Sequence, residues 1–107
     1  MHWIYAHLIG DYLLQNDWMA KGKKADSRVC TIHVLIYMLP FLLTGMAWWQ
    51  LLLIALQHWL QDRTDFVFWS MKAMGRNEFV AQPLAPWSII ITDNIFHILW
   101  IALVATA

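Results

Sequence analysis

The chain has 107 residues, enough for one domain, and 61% of them are apolar while only 13% are charged. Soluble domains run at roughly 45–50% apolar and about 25% charged, so this composition points to an integral membrane domain spanning 1–107. Seven basic and seven acidic residues cancel, leaving no electrostatic footprint for nucleic acid, and the single cysteine, Cys30, excludes an internal disulfide and a CxxC metal site.

The first helix is expected over about 2–20, ending at Lys21-Gly22-Lys23-Lys24. No cleavable signal is expected, because the N-terminus lacks a basic region and Asp11 interrupts its apolar stretch. From Val29 to Leu56 the only polar side chains are Thr31, His33, Thr44 and Gln50. As one helix that run would be about 42 Å long, against a hydrocarbon core of about 30 Å. Thr44-Gly45 is the natural break, with Pro40 adding a kink before it. A second helix over about 28–44 and a third over about 47–74 follow. The third is long enough to extend beyond the bilayer as an amphipathic stretch. Pro83 to Pro86 lead into a fourth, over about 87–105. The expected fold is all-α, an up-down-up-down four-helix bundle in the membrane.

Eight tryptophans suit such a protein, since Trp gathers at bilayer interfaces, and Trp48, Trp49 and Trp87 read as anchors. Lys21, Lys23, Lys24 and Arg28 fall in the first connection, and Arg63, Lys72 and Arg76 at or near the third. The positive-inside rule then makes the loops at about 21–28 and 75–86 cytoplasmic and sends both termini outward.

Inside this apolar sequence a histidine and an aspartate recur four residues apart: His7/Asp11, His58/Asp62 and, reversed, Asp93/His97. Four residues is about one helical turn, so each pair projects from one helix face. His33 sits twelve residues before Gly45 and His58 thirteen after it, so a hairpin there brings both to one depth. Asp11, His33, Asp93 and His97 come out roughly 7–15 Å from the cytoplasmic helix ends, with His7 deeper. Three unpaired aspartates at mid-membrane would cost on the order of 8–10 kcal/mol, at about 2.5–3.5 kcal/mol each. A bound divalent cation, protonation or an ion pair with Arg63 would offset that cost.

His7, Asp11, His33, His58, Asp62, Asp93 and His97 are therefore candidate ligands for one or two divalent ions. Bundle-core metal sites place carboxylates and imidazoles at this spacing on facing helices. Zinc heads the list, with manganese or iron as alternatives because of the carboxylates. Some aspartates could instead orient ligating histidines. Asp11 and Asp62 are the candidates for catalytic base, and Gln15 and Arg63 for substrate contacts. Two other readings stay open: polar packing between helices, and an ion or proton path through an oligomer. Asp17, Asp26 and Glu78 read as surface charges, and His2 as interfacial.

The run His7-Leu-Ile-Gly-Asp11-Tyr-Leu-Leu-Gln15-Asn-Asp-Trp18-Met-Ala-Lys21 resembles the opening signature of a bacterial and phage membrane family, domain of unknown function 3307. The resemblance continues through His33, His58-Trp-Leu-Gln-Asp62 and Asp93-x-x-x-His97, nearly the whole chain; Asn94 stands where members commonly have glutamine. It implies a bacterial inner membrane, with periplasmic termini, and no established activity. A looser similarity links the pattern to inner-membrane proteins described as metal-dependent hydrolases of the DNA-damage response. The functional expectation is a membrane-embedded metalloprotein, hydrolysing a lipid or lipid-linked substrate from the cytoplasmic half of the bilayer. The alternatives are a conducting oligomer and a non-enzymatic phage or bacterial membrane interaction protein.

Overall fold

The computed structural model describes residues 1–77, 79–81, 83–84 and 86–106, so Glu78 lies outside the described residues. The architecture is all-α, with no strand among the described residues. Helix α1 (Trp3–Leu8) runs into a π-helical stretch, Ile9–Leu13, and is followed by α2 (Asp17–Gly22). Then come α3 (Ser27–Met38), a 3-10 turn (Pro40–Leu43), α4 (Trp48–Arg63), α5 (Phe66–Ala73) and α6 (Trp87–Ala105).

Two segments expected as single helices are divided. Over 2–20 the division follows the π stretch, where Leu14 N–H donates to Ile9 O five residues back at 2.9 Å. Asn16 then starts α2 as its N-cap, its side chain accepting from Met19 N–H at 2.9 Å. Over 47–74 the chain turns extended at Thr64 and restarts at Phe66. The exposed carbonyls at the end of α4 are met by Lys24, whose Nζ donates to Thr64 O at 2.6 Å and to Asp62 O at 3.4 Å. A lysine closing the last turn of a helix satisfies orphan acceptors and complements the helix dipole.

The break at Thr44-Gly45 is present, with Gly45 at φ 77° in the left-handed region that favours glycine. Pro40 ends the regular part of α3 and opens the 3-10 turn. Helix α6 has the expected bounds, 19 residues at mean hydropathy 1.8, and by length and composition it is the one described helix able to cross a membrane alone. Ser27–Leu43 is a shorter apolar segment.

Helix α4 packs against α3 on one side and α6 on the other, with α1 and its π stretch on α3. A side chain on Gly10 would put its Cβ 2.6 Å from Tyr37 O, so this glycine sets how closely the first segment approaches α3. At the Gly45 end, Ala6, Tyr37, Phe41, Ile54, Ile101 and Val104 form a buried apolar cluster. Further along the same helices the buried polar side chains include His7, Asp11, His33, His58, Gln61, Asp62 and His97, and Val67, Met71 and Val80 form a second, smaller apolar cluster. Large apolar residues face outward along the same helices, among them Leu35, Leu43, Leu56, Ile91 and Leu103, as do Trp48 and Trp87.

Candidate metal centre

Four side chains from three elements meet in the polar layer. Asp11 comes from the π stretch, His33 from α3, and His58 and Asp62 from successive turns of α4. His33 Nε2 lies 3.0 Å from His58 Nε2, 3.0 Å from Asp62 Oδ2 and 3.4 Å from Asp11 Oδ1. His58 Nε2 lies 2.9 Å from Asp62 Oδ2 and 3.7 Å from Asp11 Oδ1. Tetrahedral ligands at zinc bond lengths of about 2.0–2.1 Å are about 3.3–3.4 Å apart. The observed edges, 2.9 to 3.7 Å, bracket that value.

Asp62 Oδ2 has His33, His58 and Lys23 nitrogens at 2.9 to 3.2 Å, and Asp11 Oδ1 has His33 and His58 nitrogens at 3.4 and 3.7 Å, both oxygens buried. The Nδ1 atoms of His33 and His58 meet no protein acceptor, so the carbonyl or carboxylate that commonly orients a ligating imidazole is missing here. Stacking holds His58 instead: its ring lies between Tyr37 at 3.7 Å and His97 at 4.0 Å between centroids.

His97 approaches from α6. Its Nε2 is 3.2 Å from Asp62 Oδ1 and 3.5 Å from Asp93 Oδ2, and its Nδ1 faces Gln57 Oε1 at 3.3 Å. Gln61 binds Asp93 twice, donating to its backbone O at 2.9 Å and to Oδ1 at 2.8 Å.

His7 sits outside the four-residue cluster. Its Nδ1 meets the Tyr37 hydroxyl at 2.7 Å and its Nε2 meets Asn94 Oδ1, so both ring nitrogens are engaged. The π stretch begins after His7 and carries Asp11 into the cluster, while His7 turns to Tyr37 and Asn94. Arg63 does not meet the clustered carboxylates: its Nε donates to Ser27 Oγ at 3.0 Å and its Nη1 to Lys24 O. Gln15 is half-buried with an unpartnered Oε1, and Asp65 is exposed. Asp26 and His2 turn out to cap helices, accepting from Arg28 N–H and Ile4 N–H respectively.

Three participants escaped sequence reasoning. Lys23, read as a topology signal, reaches inward and places Nζ 3.2 Å from Asp62 Oδ2. Burial alone would depress its pKa, but Asp62, Asp11 and Asp93 outweigh that and raise it. Tyr37 and Asn94 hold His7, and neither carries a linear signal beyond lying on the inner face.

An all-α protein with a buried His/Asp cluster able to hold a metal ion is the class that fold and geometry define. The chain belongs to the family described as Protein of unknown function (DUF3307), whose model matches residues 1–107. No curated protein and no solved structure matches it, so the looser likeness to inner-membrane hydrolases gains no support there.

Proposed function

We propose that the protein is a membrane-embedded metalloprotein in which Asp11, His33, His58 and Asp62 hold a divalent ion, zinc first and manganese or iron as alternatives. The observation that carries this is the convergence of two imidazole nitrogens and two carboxylate oxygens, two of these four atoms buried without a hydrogen-bond partner.

The membrane setting is part of the proposal. Polar side chains lie inside while leucines, isoleucines and tryptophans face outward, the reverse of a soluble domain. Helix α6 spans the bilayer, and the N-terminal segment, Ser27–Leu43 and α4 complete a four-segment bundle, with α5 packed beside α6. Basic loops face the cytoplasm of a bacterial inner membrane and both termini the periplasm. The cluster then sits in the cytoplasmic half of the bilayer.

The reaction class that fits is hydrolysis of a lipid or lipid-linked phosphate or ester. A bound ion there lowers the pKa of water and polarises the substrate oxygen. A carboxylate oxygen of Asp11 or Asp62 not engaged by the ion would be the group that takes a proton. Lys23 is the cation at the site, in the place first assigned to Arg63. A second reading, a proton path through an oligomer, draws on the His-Asp contacts that run from His33 to His97 through Asp62.

The test is metal analysis of protein purified in detergent after zinc-supplemented growth. Stoichiometric metal, lost on His33→Gln, supports the centre. Metal-free protein from every supplemented culture would sink it. Turnover of a lipid phosphate by loaded protein then separates hydrolysis from conduction, which liposome flux would reveal.

A further inference from the structure

The first cluster leaves His97 and Asp93 unused, although both reach the same layer. A carboxylate oxygen of Asp11, one of Asp93 and a ring nitrogen of His97 lie within 4.8 Å of one another, and Asp11 belongs to the four-residue cluster as well. Asp62 Oδ2 faces His33 and His58, while its Oδ1 is 3.2 Å from His97 Nε2. His97 is fully buried and Asp11 is 5% exposed, so neither carboxylate nor ring is a solvated surface group.

An ordered chain of amides fixes which nitrogen of His97 is free. Gln57 Nε2 donates to Gln61 Oε1, and Gln61 Nε2 donates to Asp93 Oδ1. With its amide nitrogen so used, Gln57 turns Oε1 to His97 Nδ1, which must carry the proton. His97 Nε2 is thereby left to the carboxylates, 3.2 Å from Asp62 Oδ1 and 3.5 Å from Asp93 Oδ2. A divalent ion would take the place of the proton that Nε2 otherwise donates there. Partners that orient a ligating imidazole through its second nitrogen act in this way at metal sites.

We infer that the protein holds two divalent ions side by side, the second bound by His97, Asp93 and Asp11, with Asp11 shared between the two. The inference rests on the metal centre proposed above. The second position offers one nitrogen against two carboxylate oxygens, where the first has two nitrogens. That set suits a harder ion of higher coordination number, such as manganese or iron, where the first suits zinc. Ions sharing a carboxylate this way lie about 3.5–4 Å apart, the spacing at which paired ions clamp a phosphoryl or acyl oxygen from two sides. The substrate class narrows accordingly, to a phosphate ester or anhydride on a lipid carrier.

The experiment titrates chelated protein in detergent with manganese alone and then with zinc alone, counting bound ions per chain. Electron paramagnetic resonance on the manganese-loaded protein adds a readout that needs no variant. Two ions per chain and the exchange-coupled spectrum of a manganese pair are expected. His97→Gln and Asp93→Asn should each reduce the count to one and restore the spectrum of an isolated ion. One ion in the wild type, unaffected by His97→Gln, overturns the second position and leaves the first standing. No bound ion overturns both. Two ions that His97→Gln and Asp93→Asn leave in place would refute the assignment of ligands. Gln57→Leu, which keeps every ligand, should weaken the second ion roughly tenfold and leave the first unchanged; equal weakening of both would contradict the orienting role.

Discussion

The two ends of the bundle are built from the same helices and hold together by different physics. Toward Gly45, α3, the 3-10 turn after it, α4 and α6 contribute Tyr37, Phe41, Ile54, Ile101 and Val104 to a close-packed apolar cluster. One or two turns further along, the same helices contribute His33, His58, Asp62 and His97 to a layer with six contacts between histidine nitrogens and carboxylate oxygens, all within 3.7 Å. The apolar end gains stability from packing alone. Buried ionic groups at the other end return little over an apolar replacement, and breaking one pair strands its partner. Their presence therefore argues for use, and the apolar end supplies the rigidity that keeps them in place.

That contrast can be broken from either side. Phe41→Ala should have the largest effect, about 3–5 kcal/mol of stability by opening a cavity. Metal bound per folded chain should not change, as read by thermal denaturation with metal analysis of the soluble fraction. Chelation acts at the other end. At free metal a hundredfold above Kd, removing the ion should cost about 2.7 kcal/mol, seen as a lower midpoint in detergent. His58→Leu should reduce that difference between zinc-loaded and chelated protein, and an undiminished effect of the chelator after His58→Leu would place the zinc elsewhere.

Gly10→Ala couples the two ends. The added Cβ would meet Tyr37 O at 2.6 Å, so the first segment must shift, at a cost of about 1–3 kcal/mol. Because Asp11 is the next residue, the ion should bind more weakly too, and unaltered affinity would show that Asp11 is not a ligand. The smallest expected change is a gain. Lys23→Met removes the ammonium 3.2 Å from Asp62 Oδ2 and should tighten divalent-ion binding about tenfold, roughly 1.4 kcal/mol, in a calorimetric titration. A weaker ion after that substitution would make Lys23 a partner of the metal and not its competitor.

Much of this was legible in the sequence where periodicity and punctuation agreed. The hairpin at Gly45 was, and the equal spacing of His33 and His58 from it is realised as a 3.0 Å approach of their Nε2 atoms. The bounds of α6 were, because Pro86 and a predominantly apolar run mark them. Local backbone choices were not. Nothing in an apolar period separates a π turn from an α turn, so the divergence of His7 and Asp11 was hidden. The starts of α2 and α5 carried cap-type residues, Asn16 and Thr64-Asp65, which the longer apolar pattern overrode. Lys23 is the plainest case: a basic loop residue reads as a topology signal until the fold turns it toward Asp62.

X-ray absorption at the zinc edge of loaded protein in detergent tests the central claim most directly. The expected result is a first shell of nitrogen and oxygen only, at about 2.0–2.1 Å, with the outer-shell scattering of two imidazoles. A shell containing sulfur, which would bring in Cys30, or a shell of oxygens with no imidazole contribution would contradict it.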